Sequence, residues 1–196
     1  MFGMNAYFPI FINLKNKNVL IAGGGRVAYQ KIKNLLPFDA AITVISPEFT
    51  DELIQLAVKE KKVKLQKGKV EDIDFKDFDL IISAVNNKKI NASCVKKGRK
   101  LKIWVNSVDD PENCDFITAS VIKRKNVVIA VSSGGFLPGL SKILRKIIDA
   151  YLPENHFQYF TKIFQLRSKL KKKIKNQRER EETLKEIVKD IERRYF

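Results

Sequence analysis

The 196-residue sequence is short of the residues that build soft-metal and disulfide sites. It has two cysteines, Cys94 and Cys114, with no CxxC pair, and one histidine, His156. Zinc centres made from Cys/His sets are therefore excluded, and the cysteine usage fits a reducing compartment. Long hydrophobic runs are also missing. No stretch approaches the ~18 apolar residues of a membrane span. At the N-terminus, MFGMNAYFPIFINLKNKN has its apolar stretch broken by Pro9 and Asn13, with no basic region before it and no small-residue cleavage site after it. These absences predict a cytoplasmic protein without signal peptide or membrane association. Acidic residues are scarce beside basic ones: 22 Asp and Glu against 38 Lys and Arg leave a formal charge of +16. Such an excess attracts nucleic acid, anionic membrane or a polyacidic small molecule. Few aromatics interleave with the basic runs, and no helix-turn-helix, RRM or zinc-finger pattern occurs, so nucleic acid is not the expected partner. The densest basic run, Lys169 to Lys175, reads as a solvated helix face.

Against these shortages stands a hydrophobic content of 44%, enough for a sizeable core. Asn18 to Ala22 reads as a strand, Gly23-Gly24-Gly25 as a turn, the stretch to Leu36 as an amphipathic helix and Ala41 to Ile45 as a second strand. The alternation continues with a helix from about Thr50 to Lys59 and strands at Lys62–Gln66 and Leu80–Ala84. A helix near Lys88–Lys97 and a strand at Lys102–Val105 follow. That order predicts an α/β fold with a parallel sheet covered on both faces. Ile117–Ile122 and Val127–Ser132, separated by Lys123 to Asn126, then read as a hairpin. Pro138 to Pro153 reads as a helix with apolar positions Leu140, Ile143, Leu144, Ile147, Ile148 and Tyr151, and His156 to Phe196 as two further helices. His156 has no partner motif and reads as a helix-start residue.

Gly23-x-Gly25-x-x-Ala28 lies where a dinucleotide fingerprint must lie, directly after a strand and opening a helix. Gly23 would allow the tight turn, Gly25 a close backbone approach to a pyrophosphate, and Ala28 close packing of helix on sheet. The amides of the turn and first helical residues, Gly24, Gly25, Arg26, Val27 and Ala28, face the phosphates, and the helix dipole favours them. A Rossmann-like, NAD-binding domain is the expectation. The acidic residue that would end the second strand is absent, since the chain runs Val44-Ile45-Ser46-Pro47-Glu48. Ser46, or groups around Pro47 and Glu48, would take the ribose instead. No arginine follows to clamp a 2′-phosphate, which favours NAD over NADP. Ala84 and Val85, ending the Leu80–Ala84 strand, are assigned to the same cofactor.

Asn106-Ser107-Val108-Asp109-Asp110-Pro111 follows the last strand of the alternation, at the edge where open α/β sheets bind ligands. Its carboxylates suit proton handling or a turn cap, and nothing internal separates Asp109 from Asp110. Ser132-Ser133-Gly134-Gly135, ahead of a helix, offers hydroxyls and amides to a carboxylate, or serves as hinge and cap. A Rossmann dehydrogenase or redox sensor acting on another small substrate stays open on these residues alone.

Taken in series, Tyr7-Phe8-Pro9-Ile10-Phe11, Gly23 to Ala28, Asn106 to Pro111, Cys114-Asp115-Phe116 and Val131 to Gly135 with Pro138 resemble the siroheme synthase N-terminal family, precorrin-2 dehydrogenase/sirohydrochlorin ferrochelatase. The resemblance is strong over about residues 6 to 152. It implies an NAD-binding Rossmann domain over 1–114, a dimerisation region over 115–152 and a helical C-terminal domain over 153–196, assembled as a homodimer. It also implies oxidation of precorrin-2 to sirohydrochlorin with NAD as hydride acceptor, followed in bifunctional members by insertion of Fe²⁺ as a substrate. Within the motif it selects Asp109 as the catalytic carboxylate, and it places Asn106, Ser133, Gly134 and Gly135 toward the tetrapyrrole. Short members without the methyltransferase domain differ in whether they chelate metal, so a dehydrogenase-only protein is the alternative. Because precorrin-2 carries eight carboxylates, the basic charge suits it as a partner.

Overall fold

Apolar runs at 18–22, 41–46 and 80–83 form the centre of a sheet because both faces of a central parallel strand must be apolar. In the computed structural model, residues 7–108, 110, 113–152 and 154–195 are described, with 154–163, 191, 192, 194 and 195 as backbone alone. Five strands, β1 (Asn18–Ala22), β2 (Ala41–Ser46), β3 (Val63–Lys67), β4 (Leu80–Ser83) and β5 (Trp104–Ser107), pair in the order β3-β2-β1-β4-β5. Every pairing is parallel. Helices α1 (Arg26–Leu35), α2 (Asp51–Lys59) and α3 (Lys88–Lys100) make the crossovers.

The two-residue period of the strands sorts side chains into two cores. Val19, Ile21, Ile42, Val44, Leu80 and Ile82 meet Ala28 and Ile32 of α1 and Leu53 of α2 on one face. Leu20, Ala22, Ile45, Ile81 and Val105 meet Phe75 and the α3 residues Cys94 and Val95 on the other. The order of strands reverses at β1, so the C-terminal ends of β1 and β4 form the switch point at which such sheets bind ligands.

The boundaries differ from the sequence reading at α3, β5 and the hairpin, and α3 runs to Lys100 rather than Lys97. Strand β5 begins at Trp104, not Lys102, because Lys102 takes a positive φ of 59° as the chain leaves α3. The hairpin consists of β6 (Ser120–Arg124) and β7 (Val127–Val131), with Lys125 at φ 51° in a turn of two residues rather than four. Helices α4 (Pro138–Tyr151), α5 (Glu154–Lys173) and α6 (Gln177–Tyr195) complete the chain. Asn176 caps α6 by accepting from the Arg178 amide at 2.9 Å, which separates the two terminal helices as their apolar stripes predicted.

The chain divides into two compact units, Met1–Val121 with Val131–Lys142, and Ile122–Ala130 with Ile143–Phe196. In the second, Asp149 of α4 accepts from Arg124 of β6 at 2.8 Å, tying hairpin to helix.

Candidate functional site

The three glycines after β1 lie in three different settings. Gly23 has φ +118°, a conformation that L side chains rarely adopt, and a Cβ there would lie 2.5 Å from the carbonyl oxygen of Ala84. At Gly24 a Cβ would lie 1.9 Å from the Glu48 carbonyl oxygen and 2.8 Å from Ser46 Oγ. These contacts lock the turn to the ends of β4 and β2, helped by the bonds Gly23 N to Ile45 O at 2.9 Å and Thr50 N to Gly24 O at 3.0 Å. Gly25 differs: a Cβ there would meet nothing within 4 Å. The turn is thus closed toward the protein at Gly23 and Gly24 and open at Gly25.

Gly25, which has no side chain, is the N-cap of α1, and among the described residues no side chain caps the helix. No acidic residue stands in the first turn. The first amides of α1 and the positive end of its dipole are therefore left for an anion from outside, beside the open space at Gly25. Helix α3 starts at the same sheet edge with two of its first amides already used, because Asn87 Oδ1 accepts from Lys89 N at 3.0 Å and Ile90 N at 3.3 Å. The glycine turn and α1 fit the pyrophosphate of a dinucleotide, and α3 does not.

The predicted ribose residues adjoin this turn. Ser46 is 8% exposed and its hydroxyl lies against Gly24, while the side chains of Pro47 and Glu48 are exposed and the Glu48 carbonyl oxygen abuts Gly24. Ala84 packs its backbone on Gly23. The carbonyl of Val85 accepts from Asn91 Nδ2 at 2.9 Å, and Ser83 Oγ donates to Asn91 Oδ1 at 2.7 Å. Asn91 of α3, 2% exposed, thus fixes the loop after β4. Nothing in the sequence patterns marked it, although an asparagine on the buried face of a helix is itself a signal that a polar partner must be present.

Beside β4, the end of β5 aligns Ser107 with Ser83, and Val108 N donates to Ser83 O at 3.0 Å. Asn106 is 4% exposed and its Nδ2 donates to Phe116 O at 2.9 Å, while its Oδ1 and Ser107 Oγ are buried with no partner among the described residues. Asp109 and Pro111 lie outside the described residues. Asp110 Oδ2 accepts from Asn113 Nδ2 at 2.8 Å, so this carboxylate serves the turn.

Beside this turn stand Lys31, which no sequence motif marked, and Cys114 and Tyr7, which the motifs contained without a role. Lys31 of α1, half-buried, donates to Thr118 Oγ1. Burial pushes its pKa down, opposed by the Cys114 sulfur nearby. Burial also pushes up the Cys114 thiol and the Tyr7 phenol, and the Tyr7 shift is reinforced by Cys114 and Asp115. Burial in a tertiary contact, which no linear pattern encodes, defines this cluster.

Ser133, Gly134 and Gly135 form a turn with φ +65° and +89° at the two glycines. Ser133 Oγ accepts from Leu137 N at 3.2 Å and shares a hydrogen bond with Ser141 Oγ at 3.1 Å, holding the approach to α4. Among the described residues no group of three or more His, Cys, Asp and Glu side chains is placed to hold a metal, and no helix is long and apolar enough to cross a membrane.

A family model described as "Putative NAD(P)-binding" matches residues 10–120, the stretch that holds the sheet and its glycine turn. The chain belongs to that NAD(P)-binding family. Relatives within reach of this family match also bear out the resemblance read from the motifs. Siroheme synthase from Pseudoalteromonas translucida is 36% identical over 170 residues, 87% of this chain and 36% of that protein. Siroheme synthase from Buchnera aphidicola is 40% identical over 147 residues, 75% of this chain and 31% of that protein. The chain spans about a third of the length of these relatives. A solved structure named "SirC, precorrin-2 dehydrogenase" has the same fold, with TM-score 0.73, 24% identity, and coverage of 93% of this chain and 89% of that one.

Proposed function

We propose that the protein oxidises precorrin-2 to sirohydrochlorin with NAD⁺ as the acceptor. The observation that carries this reading is the shared sheet edge. The cradle at Gly25 and the uncapped start of α1 lie at the end of β1, and the acidic turn after β5 lies two strands away, with β4 between them. The names of the relatives and of the similar structure support the choice of substrate.

Bound NAD⁺ supplies the hydride acceptor. The chain's own residues do the rest: Gly23 and Gly24 shape the turn, Gly25 and the amides of Arg26, Val27 and Ala28 take the pyrophosphate, and Ser46 with the Pro47–Glu48 backbone meets the ribose. No arginine follows Ser46 to hold a 2′-phosphate, so we assign NAD rather than NADP. Dehydrogenation removes a hydride and a proton from the macrocycle, and Asp109 is assigned the proton. Asn106, Ser133, Gly134 and Gly135 are assigned to the substrate. Replacing Asp109 by Ala tests the assignment: turnover is lost while NAD⁺ affinity is kept, and unchanged turnover would remove Asp109 from the mechanism.

We extend the reading to insertion of Fe²⁺ as substrate, in which the pyrrole N–H protons leave as the metal enters. Iron insertion no faster than in a protein-free control would limit the protein to the oxidation.

We assign a homodimer to residues 115–152, flanked by the domains 1–114 and 153–196. Its support is the apolar stripe of α4, where Ile143 is 57%, Ile147 48% and Tyr151 80% exposed, a surface that a second copy would cover.

A further inference from the structure

Among the described residues strand β5 is an edge strand paired with β4 alone, and its outward backbone groups would ordinarily await another strand or water. Here they end on two consecutive residues that return along the edge. Val105 N donates to Asp115 Oδ2 at 2.9 Å and Val105 O accepts from Asp115 N at 2.9 Å. Two residues on, Ser107 N donates to Cys114 Sγ at 3.1 Å. The thiol in turn donates to Ser107 O at 3.0 Å or Asp110 O at 3.2 Å. Arg99 of α3 secures the outside, reaching Asp115 Oδ1 at 2.8 Å and Asn113 O at 3.0 Å.

We propose that Cys114 is a positioning residue: its buried sulfur closes the edge of β5 at Ser107, as Asp115 does at Val105, and ties Ser107 to Asp110 across the stretch in whose sequence Asp109 falls. The proposal rests on the reading of Asp109 as proton acceptor. A buried cysteine is more often a small apolar filler. This one touches three backbone polar groups within hydrogen-bond distance; the carbonyls of Ser107 and Asp110 also accept from Asp110 N at 3.4 Å and Asn113 N at 3.2 Å, so an apolar replacement strands the buried Ser107 N and loosens the other two. Burial keeps its proton on the sulfur, so it both accepts from Ser107 N and donates to a carbonyl. A serine keeps both functions on a shorter bond and restores the brace in part.

The test uses the full chain with Cys114→Ala and Cys114→Ser. NAD⁺ affinity, the kcat and KM for precorrin-2, and amide hydrogen exchange of the peptide spanning 104–116 are measured for each. Cys114→Ala is expected to lose about tenfold or more in kcat with NAD⁺ affinity unchanged, and to exchange about tenfold faster in that peptide alone. Cys114→Ser is expected to fall between the alanine variant and the parent. A kcat within twofold of the parent, or exchange in 104–116 that does not rise above that of the other strands, overturns the proposal. Should Cys114→Ala fail to fold, Cys114→Ser decides by the same two readouts, parent-like values overturning it. If the parent chain converts no precorrin-2, the proposed function fails, and the exchange measurement still decides the brace.

Discussion

Three adjacent glycines differ in what a side chain would do to each. At Gly23 the positive φ and the Ala84 carbonyl 2.5 Å from a Cβ make any side chain a folding problem. Gly23→Val is therefore expected to lower the melting temperature, with a loss of about 2 kcal/mol or more in denaturant unfolding. At Gly25 the Cβ direction is empty, so Gly25→Val should fold with parent stability and lose NAD⁺ affinity by about tenfold or more, read by fluorescence titration. Equal effects of the two substitutions on stability would contradict this division. The sequence marked the glycines as a group. Only the space around each shows which one faces protein and which faces a ligand. Asp110 illustrates the same point, since its carboxylate bonded to Asn113 could not be told from that of Asp109 by spacing.

Elements were legible where one period dominated. The buried runs of β1, β2 and β4, the amphipathic α1 and the two terminal helices all fell within a residue or two of their expected places, because binary pattern and burial agree there. The end of α3, the start of β5 and the turn of the hairpin depended on single residues with positive φ, Lys102 and Lys125, which carry no composition signal. The edge closure of β5 by Cys114 and Asp115 was illegible for a different reason: it joins residues through bonds to backbone that no residue type demands. Capping separates α1 from α3 at one sheet edge, and Asn87→Ala should cost about 1 kcal/mol of stability without changing NAD⁺ affinity. At the opposite edge, Asp79 Oδ1 accepts from Lys17 Nζ at 2.7 Å and Oδ2 from Asn18 N at 2.8 Å, fastening β1 to the chain before β4. The Lys17 hydrogen bond first, and that of Asn18 second, hold the Asp79 carboxyl below the usual carboxylate range. Its stabilisation is thus present above the ordinary carboxylate pKa and is lost as pH falls through the depressed folded value. Asp79→Asn should remove part of the acid dependence measured by denaturant unfolding between pH 5 and 3, within the ~1 kcal/mol of an exposed pair.

For the whole molecule, the match over residues 10–120 gives the NAD(P)-binding family, and the proposed substrate draws its support from similarity to proteins about three times as long. Under the proposed function the +16 charge has a use, since a carboxylate-rich tetrapyrrole approaches a basic surface faster, and raising ionic strength should lower kcat/KM for precorrin-2 more than it lowers NAD⁺ affinity. The exposed stripe on α4 predicts self-association. Ile143→Glu combined with Ile147→Glu should convert a dimer to a monomer by light scattering, and a parent protein that is already monomeric would contradict the assignment. The most direct test of the central claim is the stoichiometry of an anaerobic reaction of purified protein, freshly generated precorrin-2 and NAD⁺, followed by absorbance of both products. One NADH formed per sirohydrochlorin, at a rate that depends on the protein, is the predicted result. Folded, NAD⁺-binding protein that forms neither product would contradict it.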